Sequence, residues 1–440
     1  MPDLSEFGNS LDGELFSPDS PGYEAIRRPV NPACREVRPR LVVRCRSVCD
    51  VVAAITYAAA TGDRIVPRGG GHCFAGRSST DGIVLDLSGL DGIRVAADRV
   101  ATIGAGARLE QVYAALHAHG RTLPAGCGPT VGIAGLTLGG GIGLLGRTYG
   151  LTCDRLAGAQ VVLADATFVD CDHDHEPDLF WALRGAGGGQ FGVVTSLRFD
   201  TVPEPVTTRI EAHWPDIAVG ELAAAWQAWA PDAPDELTVN LTLESEPGAP
   251  VRATLFGAAA LEEGPTRELL QEFTGLAGLA ATIELRAGLP YHHLKSTLAD
   301  PRDEPGRALR IRSEFFSHPM AHRTLASLLT QLGEPRTTGR RQLAFTAMGG
   351  AYNRVAADAT AFAHRGERFL LEHIADAADP WADRSWATAH ADGSGRVYPN
   401  FPDPALDDWA AAYHAGNYPR LAAVKNAYDP HRFFDFRQAI

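Results

Sequence analysis

Three glycine-rich stretches in the first half of this 440-residue chain constrain its fold more than any other feature. They read RGGGHCFAG at 68–76, PAGCGPTVGIAGLTLGGGIGLLG at 124–146 and RGAGGGQFGVVT at 184–195. Glycine lets the backbone lie against a bulky ligand, and successive N–H groups in such turns bind anions without lysine or arginine. We therefore expect the three stretches to line one elongated groove for a ligand with a pyrophosphate and a ring system, with His72 facing the ring. A tight turn with a solvated histidine is the alternative for 68–76 taken alone.

The glycine patterns also allow a second interpretation, a nicotinamide-binding Rossmann unit. The pattern G-x-G-x-x-G occurs at 141–146 and again at 187–192. A Rossmann unit also needs an uninterrupted helix after the last glycine and an acidic residue at the end of the next strand. Asp165 could supply the acid, but the segment 147–160 is interrupted at Tyr149 and has no helical period. The sequence therefore favours the groove.

The two halves of the chain differ in their predicted pattern of strands and helices. Between about 40 and 200, short Val/Ile/Leu-rich runs alternate with helical stretches, which predicts an α/β domain. Beyond about 203, helical segments separate alternating strands, which predicts a separate unit with an antiparallel sheet covered by helices on one face. The C-terminal tail reads as a helix broken at 416–419 and ended at 429–430. The fold class is thus α+β.

Charge and cysteine usage exclude several classes of protein. The net charge is −13, whereas a nucleic-acid partner requires a basic footprint. We expect no membrane span, because no apolar stretch is long enough, and no secretory signal at the acidic N-terminus. Seven cysteines, an odd number, suit free thiols and a cytoplasmic location. No nucleic-acid or membrane partner is therefore expected, and the oligomeric state is left open.

Five ordered motifs resemble one known family, the berberine bridge enzyme-like branch of the FAD-linked oxidases with the vanillyl-alcohol oxidase fold. They are the glycine-rich stretches above, the second extended to TYGLTCD and the third preceded by DLFWAL, together with YPNF at 398–401 and GNYPRLAAVKNAYDPHRFF at 416–434. The resemblance implies a PCMH-type FAD-binding domain of two subdomains at 1–205. It also implies a substrate-binding domain at 206–395 and a segment at 396–440 that completes the FAD domain.

The resemblance further implies the cofactor and its contacts. His72 would bond covalently to the 8α-methyl group of FAD, and Asn417 and Tyr418 would return to the isoalloxazine ring. Val131 would lie beside the flavin carbon that reacts with dioxygen. The complete set of expected FAD-binding residues is His72, Arg68, Gly69, Gly70, Gly71, Cys73, Gly76, Gly128, Thr130, Val131, Gly132, Gly135, Leu136, Gly140, Gly141, Gly143, Gly192, Val193, Val194, Tyr398, Asn400, Asn417 and Tyr418.

This chain departs from the family pattern in two places. Many relatives attach FAD a second time through a cysteine directly before Pro-Thr-Val-Gly, but Gly128 stands there and Cys127 lies one residue earlier. A single linkage is therefore expected. Where the family often has a tyrosine and a polar or acidic partner, this chain has Phe401 and Thr346, and neither is a strong base near neutral pH.

Tyr149 and Tyr398 are the remaining phenols that the resemblance places near the flavin, and they are the candidate catalytic residues. A structural role for each ring, with a bonded hydroxyl group, is the alternative. A phenol is a weak base unless its neighbours lower its pKa.

The implied activity is oxidation of a C–H bond of a small alcohol, amine or phenolic specialised metabolite, with reduction of dioxygen to hydrogen peroxide. A dehydrogenase of the same fold and a metabolite-binding flavoprotein without turnover are the alternatives. The acidic and histidine-rich stretch 170–178 has a metal-like composition but is expected to be a solvated hairpin tip, so no metal site is predicted. Of His292 and His293, one is expected to be exposed and the other packed.

Overall fold

The computed structural model describes residues 3–214, 219–298 and 307–440. A first subdomain is built on a four-stranded sheet with the order β1-β2-β4-β3, in which β2, β4 and β3 run parallel. Its strands are β1 (Glu14–Phe16), β2 (Leu41–Arg44), β3 (Ile65–Arg68) and β4 (Ile83–Asp86), and its helices are α1 (Leu4–Asn9), α2 (Tyr23–Ile26) and α3 (Val48–Thr61). Helix α3 forms the crossover between β2 and β3. It begins at a capping box between Ser47 and Asp50 and ends at Gly62, whose φ is 72°.

The second subdomain contains a five-stranded antiparallel sheet with the order β5-β6-β10-β8-β9 and the short pair β7-β11. Its strands are β5 (Ile93–Val95), β6 (Val100–Gly104), β7 (Arg121–Thr122), β8 (Leu156–Val162), β9 (Phe168–Cys171), β10 (Val193–Asp200) and β11 (Val202–Pro203). Its helices are α4 (Leu109–His117), α5 (Ile133–Leu138), α6 (Gly146–Tyr149) and α7 (Pro177–Leu183). The apolar face of α4, formed by Leu109, Val112, Tyr113 and Leu116, is buried in the core that both subdomains share.

The substrate-binding unit is a seven-stranded antiparallel sheet with the order β15-β12-β14-β13-β17-β18-β16. Its strands are β12 (Val206–Trp214), β13 (Leu237–Ser245), β14 (Arg252–Ala259), β15 (Thr282–Pro290), β16 (Leu309–Phe316), β17 (Arg341–Ala347) and β18 (Phe369–Asp376). The helices between and after them are α8 (Val219–Trp229), α9 (Glu263–Ala277), α10 (Tyr291–Ser296), α11 (His322–Leu332), α12 (Ala351–Arg354) and α13 (Trp381–His390).

Side-chain alternation gives this sheet two different faces. On β13, Leu237, Val239 and Leu241 pack with the helices in one core, whereas Thr238 and Asn240 point the other way and line a cavity. The predicted α+β class, with helices on one face of an antiparallel sheet, is therefore confirmed. The limits proposed for the domains stay a prediction.

The last segment packs back on the FAD-binding part of the chain through α14 (Trp409–His414) and α15 (Tyr418–Tyr428). The buried Lys425 ammonium group donates hydrogen bonds to the carbonyl groups of Gln190 and Phe434, at 2.5 Å and 2.7 Å, and pairs with Asp429. The break between α14 and α15 spans 415–417, slightly before the predicted 416–419, because Pro419 is accommodated in the first turn of α15. Among the described residues, no helix is long and apolar enough to span a bilayer.

Arg147 joins the two halves of the molecule. It is 1% exposed, and its guanidinium group donates hydrogen bonds to the carbonyl groups of Leu237 at 3.0 Å and Pro231 at 2.8 Å, and also to those of Ala233 and Met348. Because one side chain satisfies four carbonyl groups of the opposite unit, it fixes the sheet above the glycine-rich loops.

Candidate active site

A cavity of about 980 Å³ lies between the glycine-rich loops and the polar face of the seven-stranded sheet. All three glycine stretches contribute to its wall, as the sequence predicts. Residues of the predicted FAD-binding set that line the cavity are Gly69, Gly70, Gly71, His72, Cys73, Gly128, Thr130, Val131, Gly132, Gly135, Leu136, Gly143, Gly192, Val194, Tyr398 and Asn400.

His72 is positioned by contact between two of these loops. A Cβ atom on Gly70 would lie 2.2 Å from the backbone nitrogen of Gly132, so only glycine permits this approach. The approach brings the His72 ring to Thr130, and Nε2 lies 2.9 Å from the Thr130 hydroxyl oxygen. The histidine at the end of the glycine run is therefore held in a defined orientation at the cavity wall.

Tyr398 holds the loop that follows α5. Its hydroxyl oxygen accepts hydrogen bonds from the backbone N–H groups of Gly141 and Ile142, each at 3.0 Å, and from the Asn400 side-chain amide at 3.0 Å. Burial raises the pKa of Tyr398 to about 12. The phenol is protonated near neutral pH, which favours a positioning role for Tyr398 over the role of base.

The sheet above the cavity carries a buried carboxylate that the sequence reasoning missed. Thr242, Ala344 and Glu372 stand in one row across β13, β17 and β18, and all three line the cavity. Glu372 is 6% exposed. The small Ala344 side chain leaves space between its two polar neighbours. The row thus places a carboxylate opposite the loop that carries His72.

Two aromatic rings lie at the same cavity. The rings of Phe74 and Phe401 have centroids 5.5 Å apart, and Phe401 packs edge-on against Tyr398 at 4.9 Å. Both phenylalanines line the cavity, as does Thr346. Phe401 and Thr346, which stand where the family often has a tyrosine and a polar or acidic partner, therefore both lie at the cavity, and neither supplies a base near neutral pH.

Cys127 lines the cavity beside a buried lysine. The Lys295 ammonium group, on α10, donates hydrogen bonds to the Cys127 sulfur at 3.1 Å and to the Ala125 carbonyl oxygen at 3.4 Å. Lys295 is 6% exposed. Its nitrogen lies 5.0 Å from the centroid of the Tyr113 ring and 5.5 Å from that of Tyr291.

Asn417 and Tyr418, two of the predicted ring contacts, are not among the residues that line the cavity. The Asn417 amide donates hydrogen bonds to the carbonyl groups of Ala357 and Thr360, at 2.7 Å and 3.1 Å. The Tyr418 ring stacks on His414. Because α15 begins at Tyr418 against this loop, both side chains face away from the cavity, and the tail reaches the cavity instead through its residues 434–436.

Tyr149, the other candidate catalytic phenol, also lies outside the cavity lining, half-buried against the core of the FAD-binding part.

The remaining predicted residues outside the lining support the loops from behind. The Arg68 guanidinium group binds the carbonyl groups of Ile26, Arg27 and Ser78. Val193 alternates with Val194 on β10 and faces the core. The backbone positions Gly76, Gly140 and Gly141, with φ of 73°, 114° and 88°, shape the turns.

Two further clusters singled out in the sequence lie outside the cavity lining. His293 is exposed, while His292 is half-buried and stacks on His117 with ring centroids 5.0 Å apart. The stretch 170–178 forms the end of β9 and an exposed turn with His173 and Asp174 in solvent. Within the three described ranges, no group of His, Cys, Asp and Glu side chains has a geometry that could hold a metal ion.

The loops fit a bulky ligand with a ring and a pyrophosphate. A Cβ atom on Gly135 would meet nothing within 4 Å and would project into the cavity. At Gly188 it would meet only Leu138, at 3.7 Å. Side chains at these positions would fill space that the glycines keep open, and the neighbouring turns supply backbone N–H groups for an anion. This is a cradle suited to FAD.

Comparison with known families supports the same cofactor. Residues 39–172 match the family model described as FAD binding domain, and residues 397–440 match the one described as berberine and berberine like. The fold and the site thus define an FAD-dependent oxidoreductase.

Full-length relatives place the chain within that class. The uncharacterized FAD-linked oxidoreductase YgaK of Bacillus subtilis is 32% identical over 98% of this chain and 97% of its own length. The glucooligosaccharide oxidase of Sarocladium strictum is 30% identical over 97% of this chain and 91% of its own length. The structure of Physcomitrella patens BBE-like 1 superposes with a TM-score of 0.90 at 26% identity, covering 100% of this chain and 99% of that one. The chain belongs to the berberine bridge enzyme-like family of FAD-linked oxidoreductases.

One structure is informative about flavin attachment in a relative. The Acremonium strictum glucooligosaccharide oxidase, described with a 6-S-cysteinyl, 8α-N1-histidyl FAD, superposes with a TM-score of 0.87 at 26% identity. The match covers 98% of this chain and 97% of that one.

Proposed function

We propose that this FAD-dependent oxidoreductase is an oxidase with FAD bonded covalently through His72. It would remove a hydride from a C–H bond of a small alcohol, amine or phenolic metabolite and reduce dioxygen to hydrogen peroxide. The observation that carries the proposal is the pairing, across one cavity, of a histidine held by glycine-rich loops with a buried carboxylate on the opposite sheet. When bound, FAD accepts the hydride and passes the electrons to dioxygen.

The histidyl linkage is supported by the orientation of the His72 ring. Thr130 holds this ring through Nε2, at 2.9 Å, and we propose Nδ1 as the atom that bonds to the flavin methyl group. The glucooligosaccharide oxidase with an 8α-N1-histidyl FAD provides a precedent in a relative. The second linkage of that protein, to a cysteine, is not proposed here, because Gly128 occupies the family position and Cys127 is bonded to Lys295.

Glu372 is the group that we assign to proton transfer. Oxidation of an alcohol or amine needs a base for the O–H or N–H proton as the hydride leaves, and a carboxylate at the cavity wall can accept it. Tyr398, with a pKa of about 12, cannot accept this proton near neutral pH, and neither can the side chains of Phe401 and Thr346. Thr242 and the gap above Ala344 would then help to orient the polar end of the substrate beside Glu372.

The proposal is tested by screening candidate alcohols, amines and phenols for peroxide release, followed by anaerobic stopped-flow reduction of the flavin. With any active substrate, Glu372→Gln should lower the rate of flavin reduction by roughly 10²-fold or more. Glu244→Gln is the matched control, because Glu244 is a second acid on the same sheet face and lies one row further along it, opposite Gln342. Equal rates in the two variants would remove Glu372 from the mechanism.

The alternatives predict other results in the same experiment. A dehydrogenase would be reduced by substrate anaerobically but would reoxidise slowly in air. A metabolite-binding flavoprotein would bind ligands tightly without any bleaching of the flavin.

A further inference from the structure

Cys127 and Lys295 form a nucleophilic pair that the flavin chemistry does not use. The sulfur lies on the cavity wall, whereas the lysine approaches from behind it, on helix α10 of the substrate-binding unit. The N···S distance is 3.1 Å, and a second hydrogen bond to the Ala125 carbonyl group, together with the rings of Tyr113 and Tyr291, holds the ammonium group in place. The two side chains come from different halves of the molecule and meet at its cavity.

We propose that Cys127 is a peroxide-reactive thiol and that its oxidation links it covalently to Lys295. Under the proposed function the peroxide is the product of the oxidase reaction, so in that respect the inference rests on that function. The cross-link would then accumulate as the enzyme turns over, and it would join the glycine-rich stretch 124–146 to α10.

The chemistry balances with hydrogen peroxide as the only oxidant. The ionised sulfur attacks one peroxide oxygen, the O–O bond breaks, and a sulfenic acid and hydroxide form; sulfur is oxidised by two electrons and peroxide is reduced. The Lys295 ammonium group gives its proton to the hydroxide, which leaves as water. The resulting amine attacks the sulfenic sulfur and an N–S bond forms. The S–O bond breaks, and the departing hydroxide takes the remaining proton as a second water molecule.

Two features distinguish Cys127 from four of the other six cysteines. Cys45, Cys153 and Cys171 are buried, and burial raises the pKa of each thiol, which keeps it unreactive. Cys73 lines the same cavity, but no lysine contact is present for it in the described parts of the chain. Cys73 is therefore a matched internal control for access to the cavity.

The test treats the purified holoenzyme with added hydrogen peroxide, followed by alkylation, proteolysis and mass spectrometry. We expect the peptides of Cys127 and Lys295 to appear linked, with a loss of two hydrogens, about 2 Da, and to separate again with dithiothreitol. The thermal midpoint of the treated protein should rise, because the link joins residues 168 positions apart. Lys295→Arg keeps the positive charge but lacks the amine, and should give Cys127 sulfenic acid, trapped by dimedone, without a cross-link.

Dimedone labelling of the wild-type protein at early times gives a second measurement that needs no variant, and Cys127 should label at least tenfold faster than Cys73. Equal labelling of the two cysteines, oxidation of Cys127 to sulfinic acid without a link, or flavin mass on the Cys127 peptide would each overturn the inference. Because peroxide is supplied externally, these results do not depend on oxidase activity. Failure of every substrate to release peroxide would instead contradict the proposed function and leave the cross-link standing.

Discussion

The imidazole Nε2 atom of His72 lies 2.9 Å from the hydroxyl oxygen of Thr130, and this contact ties the first glycine-rich loop to the second. It exists because Gly70 and Gly132 allow their backbones to touch. The ring that would carry the flavin is thus oriented by the loop that lines the cavity beside it. The attachment of the flavin and the shape of the cavity wall thus depend on the same contact between His72 and Thr130.

The first prediction is that FAD stays with the denatured protein through His72. Acid precipitation of the wild-type protein should give a yellow pellet, whereas His72→Ala should release its FAD into the supernatant. Thr130→Val, which removes the hydroxyl group but keeps the shape, should lower the covalently bound fraction. A colourless pellet from yellow wild-type protein would refute the covalent assignment.

The second prediction is that FAD carries a single protein bond. Peptide mapping should find flavin mass only on the peptide that contains His72, and Cys127→Ala should retain covalent FAD with an unchanged absorption spectrum. The physical reason is that the Cys127 sulfur is held by Lys295 at 3.1 Å, one residue before the position used by bicovalent relatives. Flavin on both peptides would show that the loop shifts its register.

The third prediction concerns Tyr398. Tyr398→Phe leaves the N–H groups of Gly141 and Ile142 without their acceptor, and each unsatisfied buried group costs about 1–3 kcal/mol. The variant should therefore lose several degrees in thermal midpoint and retain FAD less well. Tyr149→Phe is the control, because Tyr149 is half-buried outside the cavity and should tolerate the change. A large catalytic loss in Tyr149→Phe alone would restore it as a catalytic residue.

The fourth prediction is a pH dependence of stability. Burial raises the pKa of Glu314 to about 6, although His390 and the Gly395 N–H group bind its carboxylate at 2.9 Å and 2.8 Å. A carboxyl group whose folded pKa lies above its unfolded value of about 4.5 favours the folded state at low pH. That contribution is complete below pH 4.5 and is lost as the pH rises through 6.

Urea unfolding at pH 4.5 and 7.5 measures this effect. The wild-type protein should lose about 2 kcal/mol more of its free energy of unfolding between these pH values than Glu314→Gln does. Glu6→Gln, at an exposed position in α1, should behave like the wild type. Parallel pH profiles for wild type and Glu314→Gln would contradict the assignment.

Local sequence patterns predicted much of this molecule because they encode local physics. The glycine runs predicted one groove, since only glycine permits contacts such as that between Gly70 and Gly132. The alternation of Leu237 to Thr242 predicted a sheet with one apolar face. These features depend on residues close in the chain.

The features that the sequence did not predict depend on contacts between elements that are far apart in the chain. Glu372 lies in the apolar run FLLEHIAD, which predicts a buried strand but does not say which neighbours its side chains face. Its only local signal is an acid that directly follows three apolar residues in this strand. Asn417 was expected at the flavin, and in the structure its side-chain amide donates hydrogen bonds to the carbonyl groups of Ala357 and Ala361, which no local pattern predicts. The Cys127–Lys295 contact joins positions 168 residues apart, and no local pattern predicts it.

The last prediction concerns dioxygen and Val131, which lines the cavity at the end of Pro-Thr-Val-Gly. One added methylene can fill a space little larger than a dioxygen molecule, because close-packed interiors do not yield freely. The substrate-reduced wild-type protein should reoxidise quickly in air, and Val131→Leu should slow this step strongly while leaving anaerobic reduction nearly unchanged. Val131→Ala, which enlarges the space, should reoxidise at least as fast as the wild type. Equal reoxidation rates of the wild type and Val131→Leu would show that Val131 only packs at the cavity wall. A wild-type protein that barely reacts with air would contradict the oxidase assignment and favour a dehydrogenase.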